Sequence, residues 1–282
     1  MSSQISVVIC VKNRKNDIER TLRSIKKQIG IQEIIVVDGV STDGTLEIAK
    51  KYTNKIYSDK GKGLGFARQL GAEMAKGKYV AFIDSDTYLP KNTLLIDMVN
   101  EMEKNNWVAI HARLIDPRSN KTLWEKCQDI YYRKVTFSRY GEANFLGTIV
   151  CVIRKDIILK YQFDPFMKHA MEDLDFWFRV RRYHKFGVSR EIAYHYHRST
   201  LKDFLNQMIW YGKGGAMFAY KHRAWKWLFY PLARIYFGLF IVIRYKCVDC
   251  IPYHLIRSIA TLYGTILGLI ELKKSLKINK QR

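Results

Sequence analysis

YVAFIDSDTYLP, residues 79 to 90, is an apolar run that stops at two aspartates one residue apart. Side chains alternate faces along a strand, so carboxylates at i and i+2 point the same way. Just past the end of a buried strand, Asp84 and Asp86 are placed to share one divalent cation, which takes oxygen ligands and keeps waters or phosphates as the rest. A solvated turn explains the same tripeptide, since aspartate is common where strands end. The surrounding sequence has to decide between them.

Upstream, Ile5–Val11 (ISVVICV) and Ile34–Val37 (IIVV) are short β-branched runs. Between them, Asn16 to Lys27 places Ile18, Leu22 and Ile25 at helical spacing. After Asp38 comes the turn cluster GVSTDGT, in which Ser41 or Thr42 is expected to cap a helix running through Ile48. A third strand is expected at Lys55–Tyr57 and another helix at Leu64–Ala75, followed by the run quoted above. Short strands alternating with helices predict βαβ units and a parallel sheet buried on both faces. Ligands bind such sheets at the carboxyl ends of the strands. Val11–Asn13, Asp38 and the Asp84/Asp86 pair all fall there, which weakens the turn explanation of "DSD".

At 282 residues the chain is long enough for one large domain, or one domain and an appendage. Its 48% hydrophobic and 13% aromatic content is that of a folded protein. The formal charge of +22 is uneven: from residue 200 onward there are 14 Lys/Arg against 3 Asp/Glu. A basic balance suits nucleic acid, an anionic membrane surface or phosphorylated substrates. Carboxylates gathered at strand ends would repel nucleic-acid phosphates unless a metal intervened, so no nucleic-acid partner is expected. The start, MSSQISVVICVKNR, has no pattern of a secretory signal peptide. Of the five cysteines, Cys10 and Cys151 lie in apolar runs and read as buried thiols, in keeping with a reducing compartment. Cys247 and Cys250 form a lone C-x-x-C, read as chance spacing rather than a metal or redox site.

Residues 5 to about 90 resemble the nucleotide-binding half of family 2 glycosyltransferases, which have the GT-A fold: an α/β, Rossmann-like nucleotide-binding sheet flanked by helices. The matching pieces are SVVICVKNR, EIIVVDGVSTDGTLEIAKKY and GKGLGFARQLGAEMAKGKYVAFIDSD, together with their spacing. The resemblance implies that Val11, Asn13, Asp38, Lys62, Arg68, Asp84 and Ser85 line the nucleotide-sugar site, Asp38 near the base or ribose. It implies that Asp86, with Asp84, grips the diphosphate through Mn²⁺ or Mg²⁺. Gly39 stands where a second acidic residue often follows Asp38, leaving UDP- and GDP-sugars both open as donors. Glycine-rich Gly61–Gly65 (GKGLG) would let backbone approach phosphates, although a flexible turn explains it equally well.

In the second half, KHAMEDLDFWFRVRRYH (168 to 184) puts Glu172, Asp173 and Asp175 in the first turn of a helix. Complementing the helix dipole is one explanation, worth under about 1 kcal/mol apiece. The segment also resembles the family's "ED" motif, which implies Asp173 as catalytic base and Glu172 as its neighbour toward the acceptor. GEANFLGTIVCVIRKDIILK (141 to 160) resembles the stretch beneath the sugar. In EIAYHYHRST, His195 and His197 share a face if the segment is a strand, and related enzymes often carry a histidine here, sometimes near the metal. QMIWYGKGGAMFAYKH is similar to non-processive members, with Ile209-Trp210 where processive synthases have Arg-Trp. Trp107, Trp124, Tyr131 and Tyr132 are either a sugar-stacking surface or core.

The tail carries WKWLFYPLARIYFGLFIVIRYK from Trp225 and later IPYHLIRSIATLYGTILGLIELKKSLK. A membrane span needs about 20 mostly apolar residues. Arg234 and Arg257 interrupt these segments, which therefore suit spans with snorkelling arginines, an amphipathic pair in the headgroup layer, or a soluble helical subdomain. The cations at both ends favour the cytoplasmic face of the cell membrane.

The expectation is thus a GT-A domain over 1–220, with a donor half at 1–100 and an acceptor half at 101–220. A helical, membrane-associating region covers 221–282. The expected activity is inverting, metal-dependent and non-processive transfer to a hydroxyl of a lipid-linked glycan or glycolipid. The rivals are transfer to a polyprenyl phosphate, nucleotidyl transfer to a sugar phosphate, and a basic nucleic-acid- or membrane-binding protein without enzymatic activity. The second of these would need a glycine-rich loop that VICVKNRKND lacks.

Overall fold

In a computed structural model, which describes residues 4–136 and 139–280, the chain divides into two compact units. The first is built from residues up to Pro117, Asp129–Pro165 and Asp173–Tyr196; the second from Arg118–Gln128, Phe166–Glu172 and His197 onward.

The first unit opens with β1 (Ile5–Val11), α1 (Ile18–Lys26), β2 (Ile31–Asp38), α2 (Thr45–Ala49), β3 (Ile56–Ser58), α3 (Leu64–Met74) and β4 (Tyr79–Ile83). It continues with β5 (Thr87–Tyr88), α4 (Leu94–Lys104) and β6 (Ala109–Ile115). Next come α5 (Leu123–Tyr131), whose first residues belong to the second unit, and a π-helical turn at Tyr132–Thr136. β7 (Gly141–Glu142), β8 (Val150–Arg154), α6 (Lys155–Tyr161), α7 (Glu172–Val180) and β9 (Gly187–His195) complete the series. The strands form one sheet in the order β3-β2-β1-β4-β8-β6-β9-β5, with β7 paired to β9.

The parallel sheet expected from the first half is present, and strands of the second half make the whole sheet mixed. β1 pairs in parallel with β2 and β4, and β2 with β3, but β8 runs antiparallel between β4 and β6. The strand order turns at β1, with β2 and β3 to one side and β4 to the other, and their carboxyl ends open on one edge. Val7, Val8, Ile9, Ile35, Val36, Val80, Ala81 and Phe82 are fully buried, as strands covered on both faces require. α3 lies so close to this sheet that a Cβ on Gly71 would come within 2.4 Å of the Val8 side chain.

A buried ionic knot fastens the opposite edge. Glu33 accepts hydrogen bonds from Ser6 Oγ (2.6 Å) and the Lys76 N–H (2.6 Å), and pairs with Lys55. The Gly77 N–H donates back to Ser6 Oγ at 2.8 Å. Burial would raise the Glu33 carboxyl, but the Lys55, Ser6 and Lys76 bonds outweigh it and hold it below its ordinary range. A depressed folded value stabilises above the unfolded one, and that stability is lost as pH falls through the folded value. Glu33→Gln is therefore expected to cost about 1–3 kcal/mol in chemical denaturation near neutral pH. The gap to the native chain should close as pH drops below about 4.

The second unit holds α8 (Leu201–Lys221), a 3₁₀ turn at Trp225–Phe229, α9 (Tyr230–Tyr245), a 3₁₀ turn at Val248–Cys250 and α10 (Ile251–Lys280). The expected border at 220/221 falls at the end of α8, which groups with the other C-terminal helices. Trp124 stacks on Phe204 at 5.3 Å, and Phe204 meets Tyr253 at 4.8 Å. Cys247 and Cys250 do not act as a C-x-x-C pair: Cys250 is joined to Cys127, 123 residues away, a bond the reducing-compartment reading of the cysteines did not anticipate, and Cys247 is a buried thiol.

Candidate active site

The carboxyl ends of β1 and β2 are tied by backbone and short polar side chains. The Gly39 N–H donates to the Val11 carbonyl at 2.8 Å, and a Cβ on Gly39 would crowd Lys12 Cβ at 3.1 Å. Asn13, at φ 51°, donates its N–H to Ser41 Oγ and accepts from the Thr42 N–H through Oδ1, both at 2.9 Å. With its hydroxyl so used, Ser41 does not cap α2; the Thr45 N–H instead finds Asp43 Oδ1 at 3.0 Å. Asp38 Oδ2 accepts from the Ser41 N–H at 3.0 Å. Its Oδ1 is buried with no hydrogen-bond partner among the described residues. A buried acceptor left open costs about 1–3 kcal/mol, which a ligand N–H at this point would recover.

Sequence patterns gave no role to Asp59, which shapes the next loop. Its carboxylate accepts from the Gly61 N–H (2.7 Å) and the Gly63 N–H (3.3 Å), and its own N–H donates to the Asp38 carbonyl at 3.0 Å. Gly61 and Gly63 stand at φ 73° and 98°, left-handed conformations that favour glycine. Lys62 between them is exposed, its ammonium 4.5 Å from the Phe66 ring centroid.

At β4 the two aspartates have different partners. Asp84 accepts from Arg68 at 3.3 Å, and buried Arg68 also reaches the Thr148 carbonyl at 3.4 Å. Asp86, only 7% exposed, has Oδ1 3.4 Å from His195 Nε2. Burial pushes the Asp86 carboxyl up, but its hydrogen bond and charge contact with His195, with Arg14 beyond, bring it below the usual range. Burial likewise lowers His195, yet the bond to Asp86 and the charges of Asp86, Asp84 and Asp116 raise it. The two side chains form a buried histidine–carboxylate contact. Its supports come from α1: the Thr21 hydroxyl sits 2.8 Å from the Ser85 carbonyl and 2.7 Å from that of Thr87. Arg20 lies 3.5 Å over the ring of Tyr196, whose N–H donates to the Asp86 carbonyl at 2.9 Å. Helical spacing alone assigned α1 only to packing.

Among the described residues, no three His, Cys, Asp or Glu side chains gather as a metal cage. Mg²⁺ and Mn²⁺ seldom need one, taking one or two protein ligands and completing their shell with phosphate oxygens and water. Asp86 and His195 supply one oxygen and one nitrogen at a strand mouth, and they fit that habit.

The acidic trio of the second half separates by role. Asp175 is fully buried and pairs with Arg179 at 2.8 Å, one turn along α7, so it belongs to the fold. Asp173 is half-buried and accepts a local bond from the Leu174 N–H at 2.7 Å. Its charge is felt at Cys151 on β8, a thiol that burial drives far up while Arg68 opposes. Glu172 is buried, and the residue before it, Met171, takes φ 72°, a left-handed conformation rare for methionine.

The sequence that builds this edge has a match among known proteins. The model of the family described as glycosyl transferase family 2 matches residues 6–161, more than half of the chain. The chain belongs to that family. This family 2 member is 29% identical over 180 residues to the cholesterol galactosyltransferase of Borreliella burgdorferi, covering 56% of this chain and 49% of that protein. It is 36% identical over 100 residues to the poly(ribitol-phosphate) beta-N-acetylglucosaminyltransferase TarS of Staphylococcus aureus, covering 32% of this chain and 18% of TarS. The chain thus spans about half or less of the length of these relatives. A solved structure of S. aureus TarS 1-349 in complex with UDP-GlcNAc aligns at TM-score 0.53 and 19% identity, over 78% of this chain and 67% of that one. The fold is GT-A.

Within this family 2 fold, the four aromatic residues of the expected surface have different surroundings. Trp107 is buried against Gly187, where a Cβ would meet its ring at 2.4 Å, and Trp124 is packed on Phe204 in the second unit. Tyr131 contacts Tyr132, whose ring meets His195 edge-on at 5.4 Å. β9 ends at His195, so His197 does not share a strand face with it; Arg118 donates to the His197 carbonyl at 3.0 Å in the second unit.

Proposed function

We propose that the protein is an inverting, metal-dependent glycosyltransferase that moves one sugar at a time from a uridine diphosphate sugar to a hydroxyl of a membrane lipid or lipid-linked glycan. The observation that carries this reading is the buried Asp86–His195 pair at the mouth of β4. The open oxygen of Asp38 supports a nucleobase N–H nearby. The TarS complexes with UDP and UDP-GlcNAc support uridine over guanine, and the cholesterol galactosyltransferase supports a lipid acceptor.

Breaking the bond between the anomeric carbon and the diphosphate puts negative charge on the leaving group. Asp86 and His195 would hold a Mn²⁺ or Mg²⁺, which supplies positive charge at that point. Asp38 fixes the base, and the glycine backbone at Gly61 and Gly63 gives the diphosphate room. Asp173 takes the proton of the acceptor hydroxyl as its oxygen bonds to the anomeric carbon and the diphosphate departs. A phosphate acceptor is already ionised near neutral pH and offers no such proton, so Asp173 supports a hydroxyl. Ile209-Trp210 on α8, in place of Arg-Trp, supports non-processive transfer. The cations from residue 200 onward support a location at the cytoplasmic face of the cell membrane.

The test is release of nucleoside diphosphate from a panel of UDP- and GDP-sugars with Mn²⁺ or EDTA, in detergent with mixed lipid acceptors. Release from one UDP-sugar, lost in EDTA, is expected. Folded protein that turns over no donor, or does so unchanged in EDTA, would overturn the reading.

A further inference from the structure

α10 is polar on the wrong side for a helix on a water-facing surface. Its buried face carries His254, Arg257, Ser258, Thr261 and Thr265. Its exposed face carries Leu255, Ile259, Tyr263, Ile266 and Ile270, at spacings of three and four residues. α9 adds exposed Tyr236 (79%), Phe237, Leu239, Phe240 and Ile243 (77%). Water gains nothing from this arrangement and lipid does. Exposed Arg244, Lys246, Lys273 and Lys274 lie at the ends of the two helices.

Length alone would let α10 cross a bilayer: Cys250 to Glu271 is about 30 Å of helix. Its attachments oppose that. At one end the α9–α10 turn is held to α5, by Cys127–Cys250 and by an ion pair of Lys126 with Asp249. At the other, Glu271 meets His169 at 2.9 Å and Lys213 of α8 at 2.5 Å. Between them the backbones of α8 and α10 nearly touch: a Cβ on Gly212 would lie 2.1 Å from the Thr261 carbonyl, and one on Gly264 would lie 2.1 Å from that of Ile209. A crossing α10 would pull Gln207, Lys213 and Arg257 into hydrocarbon and part the turn from α5 by the thickness of the membrane. Lying flat, it keeps every one of these groups on the protein side.

We propose that the exposed faces of α9 and α10 form a flat seat on an anionic lipid bilayer, with neither helix crossing it. The charge excess of this part of the chain suits anionic lipid, and it would repel the same face of a second copy. The assignment is independent of the donor and acceptor of the reaction.

Flotation of the full chain with phosphatidylcholine vesicles, with and without phosphatidylglycerol, tests it. Binding is expected with the anionic vesicles. Leu255→Glu/Ile259→Glu/Ile266→Glu should weaken it about 100-fold, and Lys273→Gln/Lys274→Gln about tenfold. All are exposed positions, and retained UDP binding with one sharp unfolding transition verifies the fold. Undiminished flotation of the triple variant, or a native dimer that it dissociates, would overturn the proposal, the latter in favour of a second copy. In sealed membrane vesicles from expressing cells, Val248→Cys and Ser275→Cys should react with an impermeant maleimide from the same side, above the native background. Reaction from opposite sides would mean that α10 spans.

Discussion

Asp86→Asn is expected to lower metal-dependent donor turnover by about 10³-fold or more while the protein stays folded. The amide keeps the shape and a hydrogen bond toward His195, but it loses the negative charge that would hold a cation. Asp86 is buried, and burial works against its charge; His195, Arg14 and a backbone N–H together hold the carboxyl below its usual range. An ion pair held against such a cost is weak evidence for stability. Its place at the carboxyl end of β4, beside the turn in strand order, points instead to a ligand.

His195→Ala should be milder, about 10- to 100-fold, because a water can take the place of one nitrogen ligand whereas nothing replaces the carboxylate. Asp84→Asn separates the two aspartates. If its main partner is Arg68, the change should show first in donor KM, with residual activity still abolished by EDTA. Equal and total losses in both variants would mean that the two carboxylates act on one cation, as strand alternation first suggested. The measurement is steady-state release of nucleoside diphosphate over a Mn²⁺ titration. An Asp86→Asn protein with native turnover and unchanged Mn²⁺ dependence would remove Asp86 from the site.

How much of this was legible depended on whether a signal was local. β1, β2 and β4 are buried on both faces, so each appears as an unbroken β-branched or apolar run, and their carboxyl ends mark the site. β5 and β7 have two residues each, too short for any period, and the antiparallel place of β8 is decided by partners far along the chain. Asp38 and Asp86 were readable as carboxylates at strand ends. Asp59, Thr21 and Arg20 were not, because their roles lie in what they touch: two glycine N–H groups, two carbonyls and the Tyr196 ring. The same limit hid Cys127–Cys250, since spacing carries no information across 123 residues. It also hid the inverted polarity of α10. Hydropathy located an apolar segment there, but only its packing on α8 shows that the polar residues face inward.

Asp173→Asn is expected to abolish transfer to a hydroxyl acceptor, by about 10²–10⁴-fold in kcat, with UDP affinity unchanged. The loss of a proton acceptor has no counterpart in donor binding, so titration of UDP into the variant should give the native Kd. The neighbouring carboxylates make the test specific. Asp175→Asn removes a buried partner of Arg179, which also holds the Gln162 carbonyl at 2.6 Å, so its expected signature is a lower Tm. Asp173 is half-exposed where Asp175 is fully buried, so Asp173→Asn should lower Tm less than Asp175→Asn does. If Asp173 serves only the dipole of α7, its removal costs under about 1 kcal/mol of stability and almost nothing in rate. A general base predicts the reverse: a stable protein that binds donor and leaves the acceptor hydroxyl untouched. Slow hydrolysis of the donor would then persist alone, because water reaching the anomeric carbon depends on the leaving group more than on Asp173. A variant that transfers sugar at the native rate would assign the proton to another group, with Glu172, next in the chain and buried, the first to examine.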